Sequence, residues 1–535
     1  MGSRTPKYSI FIVLIFLSTS IFSQQSEYLF GKLLDAKTGE PVVFASIRIK
    51  DRALGVISNV DGSFKIPLKY KEYGDIIEIS SMGYQRQEIL ISDFYRYEVH
   101  ILRLQPAIVE LEETVVIAKR KRKRVPSARQ IVKRAIKAIP SNYPQSSFST
   151  IGYYRDYQYK DEVYINLNEA ILEVFDQGFD TKDIEDTQVK IYDYKQNLDF
   201  TRDSLAADSY DYKNYKKVIE NAYLPSYGGN EFVILRVHDA IRNYSINSYD
   251  FVNNIQTDMF KNHNFKKEAD TYLDDELLYV VNIFNKRMEY ILVGRLFISK
   301  TDYAIHKMEY EIYNSSIEDL RSKKNKQANL VFRVVTEYQR TDDTMYLNYI
   351  SFQNGFQVAM PPEFIIKEIV AIRHSKCFEV RFNRPIDTVS AGKKKNYVFK
   401  FLGKKLRFKS IVVFDDAVRL FPAMSGKKTD DIFEQIYSAK NENSKLSELL
   451  ETKVSGIYGL NAEDQSFNVL LNSQKMDDYF QFREFFVQEL KLNSPAPIDS
   501  LYMHKRKPIF KDQPIVKPDN FDEYWMNTPL KKKNN

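Results

Sequence analysis

Alternating apolar and polar residues predict β-strands along much of the chain. Around residue 305 the even positions are mostly apolar and the odd positions are charged, which is the pattern of a strand with one buried face. The first set is Ala304, His306, Met308, Tyr310 and Ile312, and the second is Lys307, Glu309 and Glu311. Because antiparallel sheets commonly bury one face, we predict a long antiparallel meander from Leu277 to about Val413.

Shorter apolar runs between residues 28 and 105 are separated by turn residues. The runs lie at 28–34, 42–49, 76–80 and 99–104. Five or more short strands at this spacing predict a sandwich, in which two sheets bury their inner faces.

One turn of this segment overlaps a calcium-loop pattern at Asn59, Asp61 and Gly62. An EF-hand loop requires an acidic first ligand and a glutamate at its twelfth position. Ile57 and Leu68 occupy those two places. We therefore interpret the segment as a tight turn.

Helical spacing appears at two places. Ser127 is a candidate N-cap for a helix whose apolar stripe ends at Pro140. The stripe consists of Ile131, Val132, Ala135, Ile136 and Ile139. Near the C-terminus, one set of apolar residues predicts a first helix and another predicts a second amphipathic helix. The first set is Ile432, Ile436, Leu446, Leu449 and Leu450, and the second is Tyr479, Phe482, Phe486 and Leu490.

Several motifs of the predicted sandwich resemble the carboxypeptidase regulatory-like domain. They are Leu29-Phe30-Gly31-Lys32-Leu33-Leu34-Asp35, Thr38-Gly39-Glu40-Pro41-Val42, Ala45-Ser46-Ile47, Asp61-Gly62-Ser63-Phe64 and Ser81-Met82-Gly83-Tyr84. The resemblance implies a prealbumin-like β-sandwich of the kind that precedes exported and outer-membrane proteins of Gram-negative bacteria, including TonB-dependent transporters. It also implies a docking role, since the catalytic part of carboxypeptidases is a separate domain that nothing in this chain resembles.

Two further resemblances concern the middle of the chain. Asn142-Tyr143-Pro144, Gly152-Tyr153-Tyr154-Arg155 and Glu169-Ala170 resemble the start of a region that accompanies this module in Gram-negative cell-envelope proteins. That resemblance implies no activity. The predicted meander resembles the curved sheets of periplasmic lipoprotein-carrier proteins, which hold an acyl chain against an apolar concave face.

The first 23 residues have the features of a secretion signal. Arg4 and Lys7 precede an apolar run from Ile10 to Leu17, and small residues lead up to Ser23, after which we predict cleavage. The run is shorter than the ~20 residues that span a bilayer as a helix. Because Cys377 is the only cysteine, neither a disulfide framework nor an N-terminal lipid-modified cysteine is expected.

Composition is typical of a globular protein, with 43% apolar and 14% aromatic residues and a formal charge of +7. Six consecutive cations form the one long charge run, at Lys119, Arg120, Lys121, Arg122, Lys123 and Arg124. They predict an exposed linker. Because we predict export, we expect no nucleic acid partner, and the run is instead a candidate contact for anionic lipid headgroups. A solvated spacer is the simpler interpretation.

No residue pattern indicates catalysis. His306 and Glu309, and likewise His374 and Cys377, are three apart on predicted strands and therefore on opposite faces. Turns or helix starts explain the adjacent carboxylates at Asp274-Asp275, Asp342-Asp343, Asp415-Asp416 and Asp477-Asp478. Glycine-rich phosphate loops and nucleophile elbows are absent from the sequence. We predict no catalytic, metal-binding or cofactor-binding residues.

The predicted fold is mainly β with α additions: an N-terminal β-sandwich, a larger antiparallel-sheet α+β region and a helical C-terminal part. The predicted segments are a signal peptide (1–23), the sandwich (24–106), a strand and basic linker (107–126), a β-rich α+β region (127–425), a helical region (426–493) and a Pro-rich extended tail (494–535), with Trp525 fixing the tail.

The function predicted from these features is that of a non-enzymatic exported cell-envelope protein, periplasmic or at the outer membrane. The sandwich would dock to a partner, and the β-rich region would bind a protein or a lipid. Two alternatives stay open, an envelope hydrolase acting on peptide or glycan and an outer-membrane β-barrel component. The sequence does not predict an oligomeric state.

Overall fold

The computed structural model describes twelve stretches of the chain. They are residues 28–52, 54–107, 125–220, 222–244, 259–273, 276–286, 290–314, 329–360, 364–441, 449–459, 476–494 and 501–530. The predicted signal peptide, the strand predicted at 111–117 and the six-cation run lie outside them. The chain divides into two compact units. We call residues 1–358 with 478–535 the main unit, and residues 359–477 the inserted unit.

Strands dominate the described residues. They are β1 (Tyr28–Asp35), β2 (Ser46–Ile49), β3 (Gly55–Ile57), β4 (Ser63–Pro67), β5 (Ile76–Ser80), β6 (Gln87–Leu90), β7 (Val99–Leu104), β8 (Phe148–Lys160), β9 (Val163–Asp176), β10 (Gln188–Gln196), β11 (Lys217–Val218), β12 (Asn264–Lys267), β13 (Thr271–Leu273), β14 (Glu276–Lys286), β15 (Ile291–Ser299), β16 (Ile305–Tyr313), β17 (Leu330–Thr341), β18 (Thr344–Ala359), β19 (Ile366–Ile372), β20 (Cys377–Phe382), β21 (Tyr397–Phe401), β22 (Lys404–Lys405), β23 (Phe408–Val413), β24 (Ala417–Pro422), β25 (Leu450–Val454) and β26 (Met476–Leu492).

Helices are fewer and mostly short. They are α1 (Lys69–Glu72), α2 (Ala128–Asn142), α3 (Asp183–Asp186), α4 (Ser204–Ala207), α5 (Glu231–Val237), α6 (Ala240–Tyr244), α7 (Met259–Asn262), α8 (Thr388–Ala391) and α9 (Gly426–Asn441). Among the described residues, none of these helices combines the length and the apolar character needed to cross a bilayer.

The N-terminal module is the predicted two-sheet sandwich. β1 lies between antiparallel β4 and parallel β7 in one sheet, and the other sheet has the order β3-β2-β5-β6. Leu33, Ile47 and Ile77 are buried between the sheets. Gly31 allows the ring of Phe64 to pack directly on the β1 backbone, because a β-carbon there would collide with that ring.

The segment interpreted as a turn is confirmed as the β3–β4 connection. The carboxylate of Asp61 accepts hydrogen bonds from the backbone nitrogen of Ser63, at 3.0 Å, and from its hydroxyl, at 2.6 Å. Gly62 has φ of +79°, which favours glycine. Both carboxylate contacts belong to an ordinary Asx-type turn.

A twelve-stranded sheet forms the centre of the main unit. Its order is β10-β9-β8-β26-β18-β17-β16-β15-β14-β12, with β11 beside β18 and β13 beside β14. Strands β14 to β18 are antiparallel neighbours in sequence order, which confirms the predicted meander as far as Ala359. Beyond Ala359 the prediction was wrong, because β19 to β24 form separate sheets of the inserted unit.

The predicted second C-terminal helix was also wrong, because the residues concerned belong to the 17-residue strand β26. This strand pairs with β8 and β18 at its two edges, and its faces are covered by the helices, against which Phe485 packs, and by the sandwich, against which Phe486 packs. A strand buried on both faces has apolar residues at most positions instead of alternating ones. Tyr479, Phe482 and Phe486 therefore matched helical spacing by coincidence, and a helical C-terminal part is not found among the described residues.

Helix α2 begins as predicted. The hydroxyl of Ser127 accepts a hydrogen bond from the backbone nitrogen of Gln130, and the amide oxygen of Gln130 accepts one from Ser127 in return. This is a capping box. The helix continues through Pro140 and ends at Asn142, two residues later than predicted.

The two faces of the large sheet have different coverings. Ile151, Tyr153 and Ile171 belong to the same apolar core as the sandwich. Tyr154 and Leu172, their neighbours in sequence, point the other way and pack with the helices, including Ile131 of α2 and Phe232 of α5. The sandwich is therefore an integral layer of the main unit and shares its core with the sheet.

The C-terminal tail first runs along β10 and then reaches the sandwich, where Trp525 fixes it as predicted. The indole is 4% exposed and donates from Nε1 to the carbonyl of Lys65 at 2.9 Å. Asn527 accepts from the backbone nitrogen of Lys65 at 2.9 Å and donates to the carbonyl of Ile57 at 2.7 Å. These side chains satisfy backbone groups of β3 and β4, each of which is an edge strand of its sheet.

The inserted unit has its own core. Its sheets have the orders β19-β20-β24-β23 and β22-β21-β25. Helix α9 contains Ile432 and Ile436 of the first predicted C-terminal helix, whereas Leu446 lies outside the described residues and Leu450 begins strand β25. The ring of Phe378 lies 5.0 Å from that of Phe433 in α9 and 5.2 Å from that of Phe399 in β21. This aromatic cluster joins the helix to both sheets.

Candidate functional site

A cleft of the main unit has a volume of about 470 Å³. Its floor is formed by the adjacent strands β17, β18 and β26 of the large sheet. Val43, Phe44 and Val60 reach over it from two loops of the sandwich, and Tyr164 lines it from β9. The two parts of the main unit thus build the cleft together, and neither forms it alone.

Aromatic rings line much of the cleft. Phe482 stacks on Tyr157 with centroids 4.8 Å apart and planes within 6°, and Tyr164 meets Tyr157 edge-on at 5.6 Å. Across the cleft, Phe44 stacks on Tyr349 at 5.0 Å. Burial raises the pKa of Tyr164 to about 12, so its phenol is neutral at physiological pH. The rings therefore offer apolar faces with polar edges.

A buried ion pair lies at the base of the cleft. Arg155 of β8 donates to Glu484 of β26 at 2.5 Å and to the side-chain oxygen of Asn59 at 2.5 Å. Tyr157 donates to the second carboxylate oxygen of Glu484 at 3.0 Å. Burial opposes the charge on Arg155, but the adjacent carboxylate holds the pKa of its guanidinium above the ordinary value. The pair joins the large sheet to the sandwich through Asn59.

A second ion pair contributes to the rim. Arg333 of β17 lines the cleft, and its Nε lies 2.5 Å from the carboxylate of Glu311. Tyr313 donates to the same carboxylate. Burial and this nearby carboxylate raise the pKa of Tyr313. Ser351 and Gln353, on the intervening floor, add a hydroxyl and an amide to the lining.

The opposite face of the sheet carries another buried arginine. Arg483 precedes Glu484 in β26 and is fully buried, and it pairs with Glu231 of α5 at 2.5 Å. It also donates to the side-chain oxygen of Asn354 at 2.8 Å. Nearby, burial and the charge of Glu231 raise the pKa of Asp156 to about 7, although Asn168 and other donors act against this.

The chemistry available in the cleft suits binding better than reaction. A general base needs a carboxylate oxygen directed at the substrate, but each oxygen of Glu484 already accepts a hydrogen bond. Arg333 is engaged by Glu311. Arg483, which also lines the cleft, is paired with Glu231. The remaining lining consists of aromatic and aliphatic side chains, one hydroxyl and one amide, which are groups that fix a ligand by contact and hydrogen bonds.

His306 is buried as the alternation predicts, but its acidic neighbour was not foreseen. Its Nε2 lies 3.0 Å from the carboxylate of Glu276, on the preceding part of the meander. Glu309 pairs instead with Arg295 at 2.7 Å. Burial alone would raise the pKa of the Glu276 carboxyl. Hydrogen bonds to this carboxylate, of which the one from His306 has the largest effect, instead lower its pKa to about 2.

The other residues considered for chemistry occupy ordinary structural positions. His374 is exposed in the β19–β20 turn, whereas Cys377 is buried at the start of β20, where burial raises the pKa of the thiol. The pairs at 342–343 and 415–416 lie in the β17–β18 and β23–β24 turns, as expected. For Asp477-Asp478 the expectation was wrong, because this pair lies in strand β26, and Asp274-Asp275 lies outside the described residues. In the stretches that the structure describes, no three His, Cys, Asp or Glu side chains are placed to share a metal ion.

Sequence reasoning missed the ion pair because Arg155 and Glu484 are 329 residues apart. A signal was nevertheless present. Each lies inside a run of aromatic residues, Tyr153-Tyr154 before Arg155 and Phe485-Phe486 after Glu484. Charges within such runs are costly to bury unless they are paired, so each predicted a partner without naming it.

Comparison with known proteins concerns mainly the N-terminal module. Residues 29–116 match the family model of the CarboxypepD_reg-like domain. The module is a carboxypeptidase regulatory-like domain. The regulatory-like domain is also similar to part of the TonB-dependent receptor SusC of Bacteroides thetaiotaomicron, at 40% identity over 78 residues. That match covers 15% of this chain and 7% of the receptor.

Among solved structures, the chain is similar to a domain described as an outer membrane lipoprotein-sorting protein of Vibrio parahaemolyticus. The alignment covers 42% of this chain and 84% of that domain, with 10% identity and a TM-score of 0.21. Similarity at this level supports no inference about the fold or the role of the region beyond the regulatory-like domain. The resemblance of the meander to lipoprotein carriers therefore stays a prediction.

Proposed function

We propose that the chain is an exported cell-envelope protein that binds a partner in the cleft between its regulatory-like domain and its large sheet. The location is periplasmic or at the outer membrane. It is supported by the regulatory-like domain, by the similarity of that domain to part of a TonB-dependent receptor, and by the predicted signal sequence.

The lining of the cleft carries the proposal about binding. Its floor spans three strands, its walls are aromatic, and its charged groups are already paired. Such a surface favours an extended polypeptide segment over an acyl chain, because Ser351, Gln353 and Arg333 would have to be desolvated against a hydrocarbon. A peptide offers backbone donors and acceptors to the same groups.

This proposal refines the docking role of the regulatory-like domain. The domain contributes Val43, Phe44 and Val60 to the cleft while its core is shared with the large sheet. Deleting residues 28–105 would expose Ile151 and Tyr153 as well as remove the cleft. A point variant that fills the cleft therefore tests binding more cleanly than a deletion.

Val43 is suited to this test, because it is 39% exposed and lines the cleft. We expect Val43→Arg to reduce capture of envelope partners at least about tenfold while the melting temperature is unchanged. Val99→Arg is the matched control, since Val99 is a 50% exposed valine of the same domain that does not line the cleft. Equal capture of partners by both variants would show that the partner does not bind in the cleft.

A photo-crosslinking residue placed at position 43 identifies the kind of partner. In intact envelopes we expect protein adducts at position 43 and none of the same mass at position 99. A lipid adduct at position 43 would keep the binding role but replace the polypeptide by an acyl chain. Absence of any adduct specific to position 43 would contradict the proposal.

A further inference from the structure

The inserted unit carries a dense basic surface. Between residues 393 and 409 there are eight cations, and no acidic residue occurs from 388 to 414. The cations are Lys393, Lys394, Lys395, Lys400, Lys404, Lys405, Arg407 and Lys409, and all except the half-buried Lys400 are exposed. We call these eight residues, together with Leu402, the basic hairpin surface.

The fold directs these cations away from the core of the inserted unit. Phe399, Phe401, Leu406 and Phe408 alternate with them and are buried in the core of the inserted unit. Alternation along β21 to β23 thus sends the aromatic side chains inward and the cations outward. Lys394 also donates to the carbonyl of Lys409 at 2.7 Å, so the segment before β21 lies beside the start of β23.

Two of the lysines are placed against each other. Lys400 of β21 and Lys405 of β22 are directly opposite in an antiparallel pair. Like charges at such positions repel each other and destabilise a sheet. Glu451 of β25 relieves this only in part, since its one carboxylate lies 2.8 Å from Lys400 on the other side of the strand. An anion bound over the hairpin would relieve the repulsion.

The tip of the hairpin is apolar and strained. Leu402 has φ of +48° and Gly403 has φ of +74°, so both central residues of the two-residue turn are left-handed. Such turns favour Asn or Gly, whereas a branched residue like leucine is disfavoured there. Leu402 is nonetheless 56% exposed at this position. A strained, exposed apolar residue surrounded by lysines is a feature that folding alone does not favour.

We propose that the basic hairpin surface docks on an anionic phospholipid surface, with Leu402 entering the headgroup boundary and the surrounding cations contacting lipid phosphates. Exposed apolar residues framed by Lys and Arg are the arrangement that binds membrane interfaces. The choice of lipid rests on the envelope location in the proposed function. It does not rest on the cleft.

Nucleic acid fits this surface less well. Proteins that bind single strands combine a basic groove with exposed aromatic rings on which bases stack. Here Phe399, Phe401 and Phe408 are buried, and the exposed residue at the tip is an aliphatic leucine. The inserted unit therefore offers charge and a small apolar probe, without a stacking platform on this hairpin.

Vesicle co-sedimentation of the full chain tests the proposal. The probe is vesicles of phosphatidylglycerol mixed with phosphatidylcholine, compared with pure phosphatidylcholine, at fixed salt. Each lysine near an anionic surface contributes about fivefold to binding, so Lys404→Gln with Lys405→Gln should weaken partitioning about 30-fold. The matched control is Lys133→Gln with Lys137→Gln, which removes the same charge from exposed positions on α2.

Leu402→Asn gives a second, independent readout. Asparagine tolerates the left-handed conformation, so this variant should raise the melting temperature slightly. It should also weaken vesicle binding several-fold, because the apolar tip is lost. A purely structural role of Leu402 would not combine higher stability with weaker binding.

Several results would overturn the proposal. An equal loss of vesicle binding in the 404/405 variant and in its control would show that only the net charge matters. Equal binding of the parent to both kinds of vesicle would exclude recognition of anionic lipid. Loss of binding to a single-stranded oligonucleotide with unchanged vesicle binding would assign the surface to nucleic acid. Capture through the cleft, measured with Val43→Arg, is a separate assay, so failure of either proposal is visible without the other.

Discussion

The base of the cleft and the basic hairpin surface use charge in opposite ways. Arg155 is 2% exposed and contacts Glu484 and Asn59, so its charge is paired inside the protein. Lys404 and Lys405 are exposed and lie in a segment that has no acidic residue. Removing one partner of a buried ion pair is strongly destabilising, whereas an exposed cluster of charges contributes little to the free energy of folding. The comparison separates charges that hold the protein together from charges available to an external partner.

The sharpest way to break this comparison is to remove one member of the buried pair. Glu484→Ala leaves the guanidinium of Arg155 buried without its carboxylate, and we expect a loss of about 4 kcal/mol in the free energy of unfolding. Urea denaturation followed by tryptophan fluorescence measures it. The double variant Arg155→Met with Glu484→Leu should recover most of the loss. A loss below about 1 kcal/mol would mean that the pair contributes no more than a surface one.

The tail that covers the same interface gives the next largest loss of stability. Trp525→Ala removes a buried indole and its hydrogen bond to the carbonyl of Lys65, and we expect a loss of about 3 kcal/mol. Circular dichroism during urea titration measures it, since the variant has no tryptophan. Leu501→Ala is the control, because Leu501 is 48% exposed in the same tail. Equal midpoints for the two variants would show that the tail does not stabilise the regulatory-like domain.

A buried carboxylate near the second arginine makes stability depend on pH. The pKa of Asp156 is raised to about 7 in the folded chain against an ordinary value of 3.8, so between these values the folded state binds more protons than the unfolded state. Stability contributed by Asp156 is therefore present below pH 4 and is lost as the pH rises towards 7.

Asp156→Asn should remove this dependence. Relative to the parent, the variant should gain stability by an amount on the order of 4 kcal/mol between pH 4 and pH 7, since the two pKa values differ by about three units. Parallel urea titrations at several pH values measure the difference, in which the contributions of all other groups cancel. Parallel stability curves for the two proteins would contradict the raised pKa.

The smallest effect on stability is expected at the exposed basic hairpin surface. Glu451→Gln removes the carboxylate beside Lys400, and since both side chains are largely exposed we expect a loss below about 1 kcal/mol. The same change should strengthen binding to anionic vesicles, because it removes a negative charge from the basic hairpin surface. Weaker vesicle binding would show that Glu451 orders the lysines instead of competing for them.

Local patterns predicted the elements whose partners are close in sequence. The motifs around Gly31 and Gly62 identified the sandwich, and the alternation after Leu277 identified the strands up to Ala359. The errors occurred where tertiary contacts decide the outcome. Strand β26 is buried on one face by the helices and on the other by the sandwich, so its residues carry no alternation that a local pattern could reveal.

The candidate sites were harder to predict for two physical reasons. The cleft joins residues such as Val43, Arg333 and Phe482, and only the three-dimensional sheet order brings them together. The cations of the basic hairpin surface do not form one uninterrupted run in the sequence, because buried aromatic residues alternate with them. The run at 119–124 is easily recognised because its cations are consecutive in the sequence. The cations of a folded basic surface are usually separated by other residues.

The position of β26 also has a consequence for the order of events during synthesis. This strand is made after the whole inserted unit, yet it fills the middle of the sheet, between strands that begin at Phe148 and Thr344. Until residues beyond 476 are available, two long strand edges have no neighbour, and closing so long a loop is slow. The large sheet is therefore complete only after β26 has been synthesised, later than every other strand described in that sheet.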